Sequence, residues 1–192
     1  MESSPPPGRR IVVLAGLCEG GLGLVALAFG GLLQRPPWRQ LHEIPRNLAW
    51  GLLASLPLAL MLVLIVRYPL GPLRRLRDLT LELILPLFRE CSLADLLLIA
   101  CLAGVGEELL FRGVVQEAIT HRYGPIVGLA AASTLFGLLH PLSTTYAVLA
   151  GLVGLYLGLL CLATGSLVAP IVAHAAYDFL ALVYLLRDPA QT

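Results

Sequence analysis

The chain has no lysine: all 13 of its basic residues are arginine. This reads as a bias of the source genome rather than as mechanism. The arginines are scattered and form no basic patch, so a nucleic-acid partner is excluded. Charge is scarce altogether, at 13% of residues against 58% hydrophobic, with a mean hydropathy of +0.85. Soluble domains carry about 25% charged residues, so a soluble enzyme is excluded in favour of an integral membrane protein. The four cysteines show no CxxC spacing, and three of them lie in apolar runs. They read as buried free thiols, not as a disulfide framework or a thiolate metal site. HExxH is absent, which excludes the zincin pattern, and no inverted internal repeat of the transporter kind is visible.

What is present is a series of long apolar runs in a chain of 192 residues. They predict an all-α membrane protein, a bundle of about six transmembrane helices around a polar intramembrane cavity. The expected spans are residues 11–33, 48–66, 93–122, 126–140, 146–163 and 167–186. Residues 1–10 are expected to be a disordered tail, and 11–192 a single membrane domain. The first run follows Arg9 and Arg10 like a signal peptide, but it continues unbroken past Ala26-Leu27-Ala28 and so reads as a span. Residues 79–88 are too short to span and are expected to lie at the interface, broken near Pro86. Trp38, Trp50 and Tyr68 read as interfacial anchors. An even number of spans places both termini on one face. The basic linker 67–92 then lies on that same face, which the positive-inside bias makes cytoplasmic. The expected location is the plasma (inner) membrane of a bacterium.

Polar groups inside those spans carry the functional signal, because each buried charge costs about 2.5–3.5 kcal/mol on insertion scales. Glu107, Glu108 and Arg112 fall in the third span. Glu108 and Arg112 are spaced for an i, i+4 ion pair with the acid first. Glu107 is rotated roughly a third of a turn away, which leaves it free as a proton acceptor. Phe136 and His140 share a face of the fourth span, as do His174 and Asp178 of the sixth. Asp178 is placed to orient the His174 ring. Counted from the Tyr123–Gly124 turn, Glu107 and His140 each lie 16 residues away, about 24 Å along antiparallel helices. They therefore reach one level. His174 is only about 12 Å from the 164–166 turn, so tilt or a break after Pro141 has to absorb the difference.

Other readings stay open at this point. The charged residues could be a structural ion cluster. Buried Glu, Arg and His could serve a small proton-coupled transporter, or a non-enzymatic immunity or scaffold protein. Ser133 lies on a face similar to that of His140 but lacks a nucleophile motif. Gly104-x-Gly106 with Tyr177-Asp178 faintly echoes intramembrane aspartyl proteases, in reversed order and with Glu where Asp is needed. Glu19, in the first span, could pair with an arginine, line a cavity or sit near an interface.

The set Glu107-Glu108-x-x-x-Arg112, Phe136-x-x-x-His140 and His174-x-x-x-Asp178 resembles the type II CAAX prenyl endopeptidases and bacteriocin-processing enzymes (the CPBP or ABI family of intramembrane endopeptidases). The resemblance covers residues 93–186, the expected catalytic core. It implies hydrolysis of a peptide bond in a membrane-associated peptide or protein by water that Glu107 and His140 activate. It also implies that His174 and Asp178 stabilise the oxyanion or complete a metal site. Familiar eukaryotic members resemble Asn where this chain has Asp178, and an ionised carboxylate cannot donate to an oxyanion as an amide can. A Zn2+ held by Glu107, His140, His174 and Asp178 and a metal-free Glu–His pair are equally compatible with these residue types. Glu108 and Arg112 would hold the site together and Phe136 would shape its wall. Lipid is the surrounding partner. A prenylated CAAX tail, a bacteriocin precursor and another membrane peptide are all compatible as substrates.

Overall fold

The computed structural model describes residues 7–187; their regular structure is all helical, with no strand among the described residues. The helices are α1 (Pro7–Leu32), α2 (Ile44–Arg67), α3 (Pro72–Leu79), α4 (Leu85–Phe88), α5 (Leu93–Leu110), α6 (Glu117–Tyr123), α7 (Pro125–Leu138), α8 (Thr144–Thr164) and α9 (Val168–Arg187). A π-helical turn, Thr80–Ile84, joins α3 to α4, and another, Phe111–Gln116, joins α5 to α6, so the described chain forms seven continuous helices. Residues 1–6 of the expected tail lie outside the described residues. Arg9 and Arg10 do not belong to that tail: they are in the first turns of α1.

Four helices, α1, α2, α8 and α9, are long and apolar enough to cross a membrane, and only 6–33% of their apolar windows is buried within the protein. Leucines such as Leu17, Leu24, Leu52 and Leu152 point outward. Such surfaces are stable against lipid rather than water. The expected third span is the continuous α5–α6 helix, which is interrupted by charge. The expected fourth span is the 14-residue α7, about 21 Å long. Residues 79–88 do not break at Pro86: the helix runs through it. Proline lacks an N–H and crowds the carbonyl four residues earlier, and the wide turn just before it accommodates both. Trp38, Trp50 and Tyr68 are exposed.

Local chemistry sets the helix starts. Ser92 and Asp95 form a reciprocal capping box at α5, with the Asp95 N–H donating to Ser92 Oγ and the Ser92 N–H donating to Asp95 Oδ2. The Ser143 hydroxyl caps α8 by accepting from the Tyr146 N–H. At the far end, the buried Ser166 hydroxyl bonds the carbonyls of Gln40 and His42, pinning the 33–43 loop under the α8–α9 turn. Gln40 Nε2 donates in turn to the Gly113 carbonyl in the π-helical turn.

The centre of the bundle is α5, packed between α1 and α9. Two glycines permit this. A Cβ at Gly104 would lie 2.9 Å from the Ala175 backbone on α9, and one at Gly106 only 2.2 Å from the Glu19 carbonyl on α1. The Gly104-x-Gly106 pair is thus a packing device rather than a protease motif. Gly106→Ala is expected to destabilise the fold by about 1–3 kcal/mol, read as a lowered melting temperature in detergent. An unchanged melting temperature would show that α1 yields freely there. The cysteines are free thiols, as expected, but only Cys161 is buried; Cys18 and Cys101 are exposed on the helix faces.

Candidate active site

Glu108 occupies the most buried point of the site, with no exposed side-chain surface. Its Oε1 accepts from Arg112 Nη1 at 2.7 Å and lies 2.8 Å from His174 Nδ1. Glu108 is therefore more than the partner of Arg112: one oxygen ties the third expected span to the sixth. Arg112 is also buried. Its Nη2 donates to the Gly154 carbonyl on α8 at 2.8 Å, and its guanidinium lies 4.7 Å from the centre of the Phe136 ring. Charge-assisted hydrogen bonds and a cation–π contact together make burial of this arginine tolerable.

His174 stands between two carboxylates. Glu108 holds Nδ1, and Asp178 Oδ2 lies 3.4 Å from Nε2. Asp178 is one helical turn further along α9, as its spacing requires. His140 sits just beyond the end of α7. Its Nδ1 lies 2.7 Å from the Phe136 carbonyl, and because a carbonyl only accepts, Nδ1 carries the proton of the neutral ring. The lone pair of the neutral ring is then on Nε2, which faces Glu107 Oε2 at 4.0 Å. That gap is too long for a direct hydrogen bond and suits a bridging water. Phe136 stacks on His140 with centroids 4.5 Å apart and meets Phe111 edge-on.

A cavity of about 420 Å³ opens on these groups, lined by Glu107, Phe136, His140, His174 and Asp178. It continues as an apolar passage past Met61 and Ile65 of α2 to Leu76 and Ile84 of the α3–α4 helix. Tyr146 and Tyr177 also line it, and so does Glu19 from α1. The sequence left Glu19 open between an arginine pair, the cavity and an interface, and did not assign Tyr146 or Tyr177 to the site. A carboxyl in an apolar span is itself a signal, but helical spacing within α1 cannot say which neighbour it faces. Ser133 is buried and is not among the residues lining the cavity.

The four residues considered as Zn2+ ligands do not converge. Among the described residues no group of three His, Cys, Asp or Glu side chains is placed to hold one ion. Both nitrogens of His174 already face carboxylates, and Nδ1 of His140 is taken by a carbonyl. A catalytic zinc needs three protein ligands and an open position, so this arrangement does not fit one.

Residues 89–180 match the family model of the Rce1-like type II CAAX prenyl endopeptidases. The match covers 92 of the 192 residues, just under half of the chain. No curated protein and no solved structure matches the chain at a significant level. The Rce1-like segment contains the paired glutamates, Arg112, Phe136, both site histidines and Asp178, whereas Glu19 lies outside it. The family that this segment matches is one of CAAX-type endopeptidases.

Proposed function

We propose that the protein is an intramembrane endopeptidase in which Glu107 and His140 activate a water molecule for attack on a peptide carbonyl. One observation carries this reading: Glu107 Oε2 and the free Nε2 of His140 face each other across 4.0 Å at the wall of the cavity. Water held there loses a proton to Glu107 as its oxygen bonds the carbonyl carbon. Donation from Nε2 of His174, loosely held by Asp178, stabilises the oxyanion. The proton on Glu107 then passes to the leaving nitrogen as the C–N bond breaks. Glu108 and Arg112 fix His174, and Phe136 fixes His140 by stacking and through its carbonyl. No step passes through a metal.

The proposed setting is a single membrane domain, 11–192, with its catalytic core at 93–186. In this arrangement α1, α2, the α5–α6 helix, α7, α8 and α9 cross the bilayer, and α3–α4 lies along one face. That face carries both termini and the basic linker and is cytoplasmic, in the inner membrane of a bacterium. The apolar passage leads towards α3–α4, so a membrane-associated substrate enters from that face. A CAAX-type tail, prenylated or not, is the class that the family points to.

The test is product mapping. Protein reconstituted in bilayers is offered membrane peptides, including a farnesylated CAAX peptide, in water enriched in oxygen-18. The expected product carries one heavy oxygen in its new C-terminal carboxylate. Absence of cleavage of every peptide offered would count against the reading. In the same assay, exhaustive chelation is expected to leave the rate unchanged; a rate lost on chelation and restored by zinc would overturn the metal-free mechanism.

A further inference from the structure

We infer that Glu19, carried into the site by α1 from outside the Rce1-like segment, is a positioning residue for the cleavage reaction, holding the Glu107 carboxyl in the orientation that takes the proton from water. The inference rests on the role of Glu107 given above.

Three separate observations support it. The first is place: Glu19 lines the same cavity as Glu107, His140, His174 and Asp178.

The second is how that place is built. Helix α1 meets α5 so closely that the Glu19 carbonyl occupies the space a Cβ of Gly106 would need, and Gly106 directly precedes Glu107. The position of Glu19 relative to Glu107 is therefore set by backbone against backbone, not by a loop or a long flexible contact. Such support from rigid elements is what a reaction geometry requires.

The third is an unsatisfied oxygen on each of the two carboxyl groups. Glu19 Oε2 and Glu107 Oε2 are both buried without a hydrogen bond, and among the described residues no arginine pairs with Glu19. Arg112 is matched to Glu108, and His174 lies between Glu108 and Asp178. Glu107 and Glu19 are left as two carboxyl groups without a cation of their own. A helix that only packs in lipid gains nothing from an unpartnered carboxyl, and residues that break a local rule without a compensating contact mark functional sites.

Neighbouring carboxyl groups in a low-dielectric site resolve their repulsion by sharing one proton. A proton shared with Glu19 fixes one Glu107 oxygen and turns the other towards the water. In the reaction Glu107 gains the water proton and later gives it to the leaving nitrogen, while Glu19 ends each cycle unchanged.

The experiment compares wild type with Glu19→Gln, Glu19→Ala, Glu19→Asp and Glu107→Gln, using the membrane peptide whose cleavage is mapped as above. It reads kcat, KM and melting temperature. Glu19→Gln and Glu19→Ala are expected to lower kcat by about 10- to 100-fold and to leave KM within about threefold, because ground-state binding is untouched. The melting temperature stays level or rises, and Glu19→Asp recovers part of kcat. Infrared difference spectra in H2O and D2O give a readout independent of any substrate. A protonated-carboxyl band is expected in wild type and lost in both Glu19→Gln and Glu107→Gln. Wild-type kcat in the Gln and Ala variants overturns the inference. A loss of kcat that follows a fall in melting temperature and is not recovered by Asp does the same, as does a band that persists in both Gln variants. If Glu107→Gln itself cleaves at the wild-type rate, the proposed role of Glu107 fails along with this one. If Glu107→Gln is inactive and the Glu19 variants are fully active, only the inference about Glu19 fails.

Discussion

Glu107→Gln is expected to lower the rate of peptide cleavage by about 10²- to 10⁴-fold, the usual contribution of a positioned general base, without unfolding the protein. The substitution keeps the size of the side chain and removes its capacity to accept the water proton. Glu107 makes no hydrogen bond through Oε2, which lies 4.0 Å from His140 Nε2. No ion pair closer than 4.0 Å is lost with its charge, and abundance and melting temperature should be preserved. His140→Ala is expected to show a loss of similar kind, because Nε2 supplies the second point that holds the water. The measurement is single-turnover cleavage in bilayers at saturating enzyme, beside a melting curve for each variant. Cleavage at the wild-type rate in a folded Glu107→Gln protein would remove Glu107 from the mechanism and favour a transport or scaffold role for the cavity.

Arg112→Met is expected to cost about 3–5 kcal/mol of stability, the range found when one partner of a buried ion pair is removed. The carboxylate left behind, Glu108, has no exposed surface and cannot recruit bulk water. The same substitution strips the Gly154 carbonyl of its side-chain donor and the Phe136 ring of its cation. Glu108→Leu combined with Arg112→Met should recover much of the stability, since apolar pairs of similar volume often replace buried ion pairs at little cost. It should not recover cleavage, because Glu108 also holds His174 Nδ1 at 2.8 Å. Stability regained with activity still absent separates the two duties of Glu108. If the double variant regains both, Glu108 is only a counter-ion, and the bridge to His174 has no part in the reaction.

The sequence by itself determined what is local. Apolar runs of spanning length make helices in lipid, since no other open segment satisfies its own backbone there. Spacing along one helix decides which side chains share a face, and the Glu108–Arg112, Phe136–His140 and His174–Asp178 pairs are all in contact as that spacing predicts. Equal counting from one turn placed Glu107 level with His140, and the two groups face each other. The resemblance carried by those motifs agrees with the Rce1-like match over 89–180.

Only the tertiary structure decided how each helix is rotated against its neighbours. That rotation is set by contacts between residues far apart in sequence, such as Gly104 with Ala175 and Gly106 with Glu19. It turns Glu108 onto a histidine 66 positions away and sets Glu19 in the cavity rather than in lipid. It also sets both nitrogens of His174 against carboxylates, and among the described residues the ligand types that suit zinc on paper are not grouped to hold one ion. Periodicity reports the angle between two residues of one helix. The angle between two helices depends on which small residues let them touch, and that is a property of the packed pair.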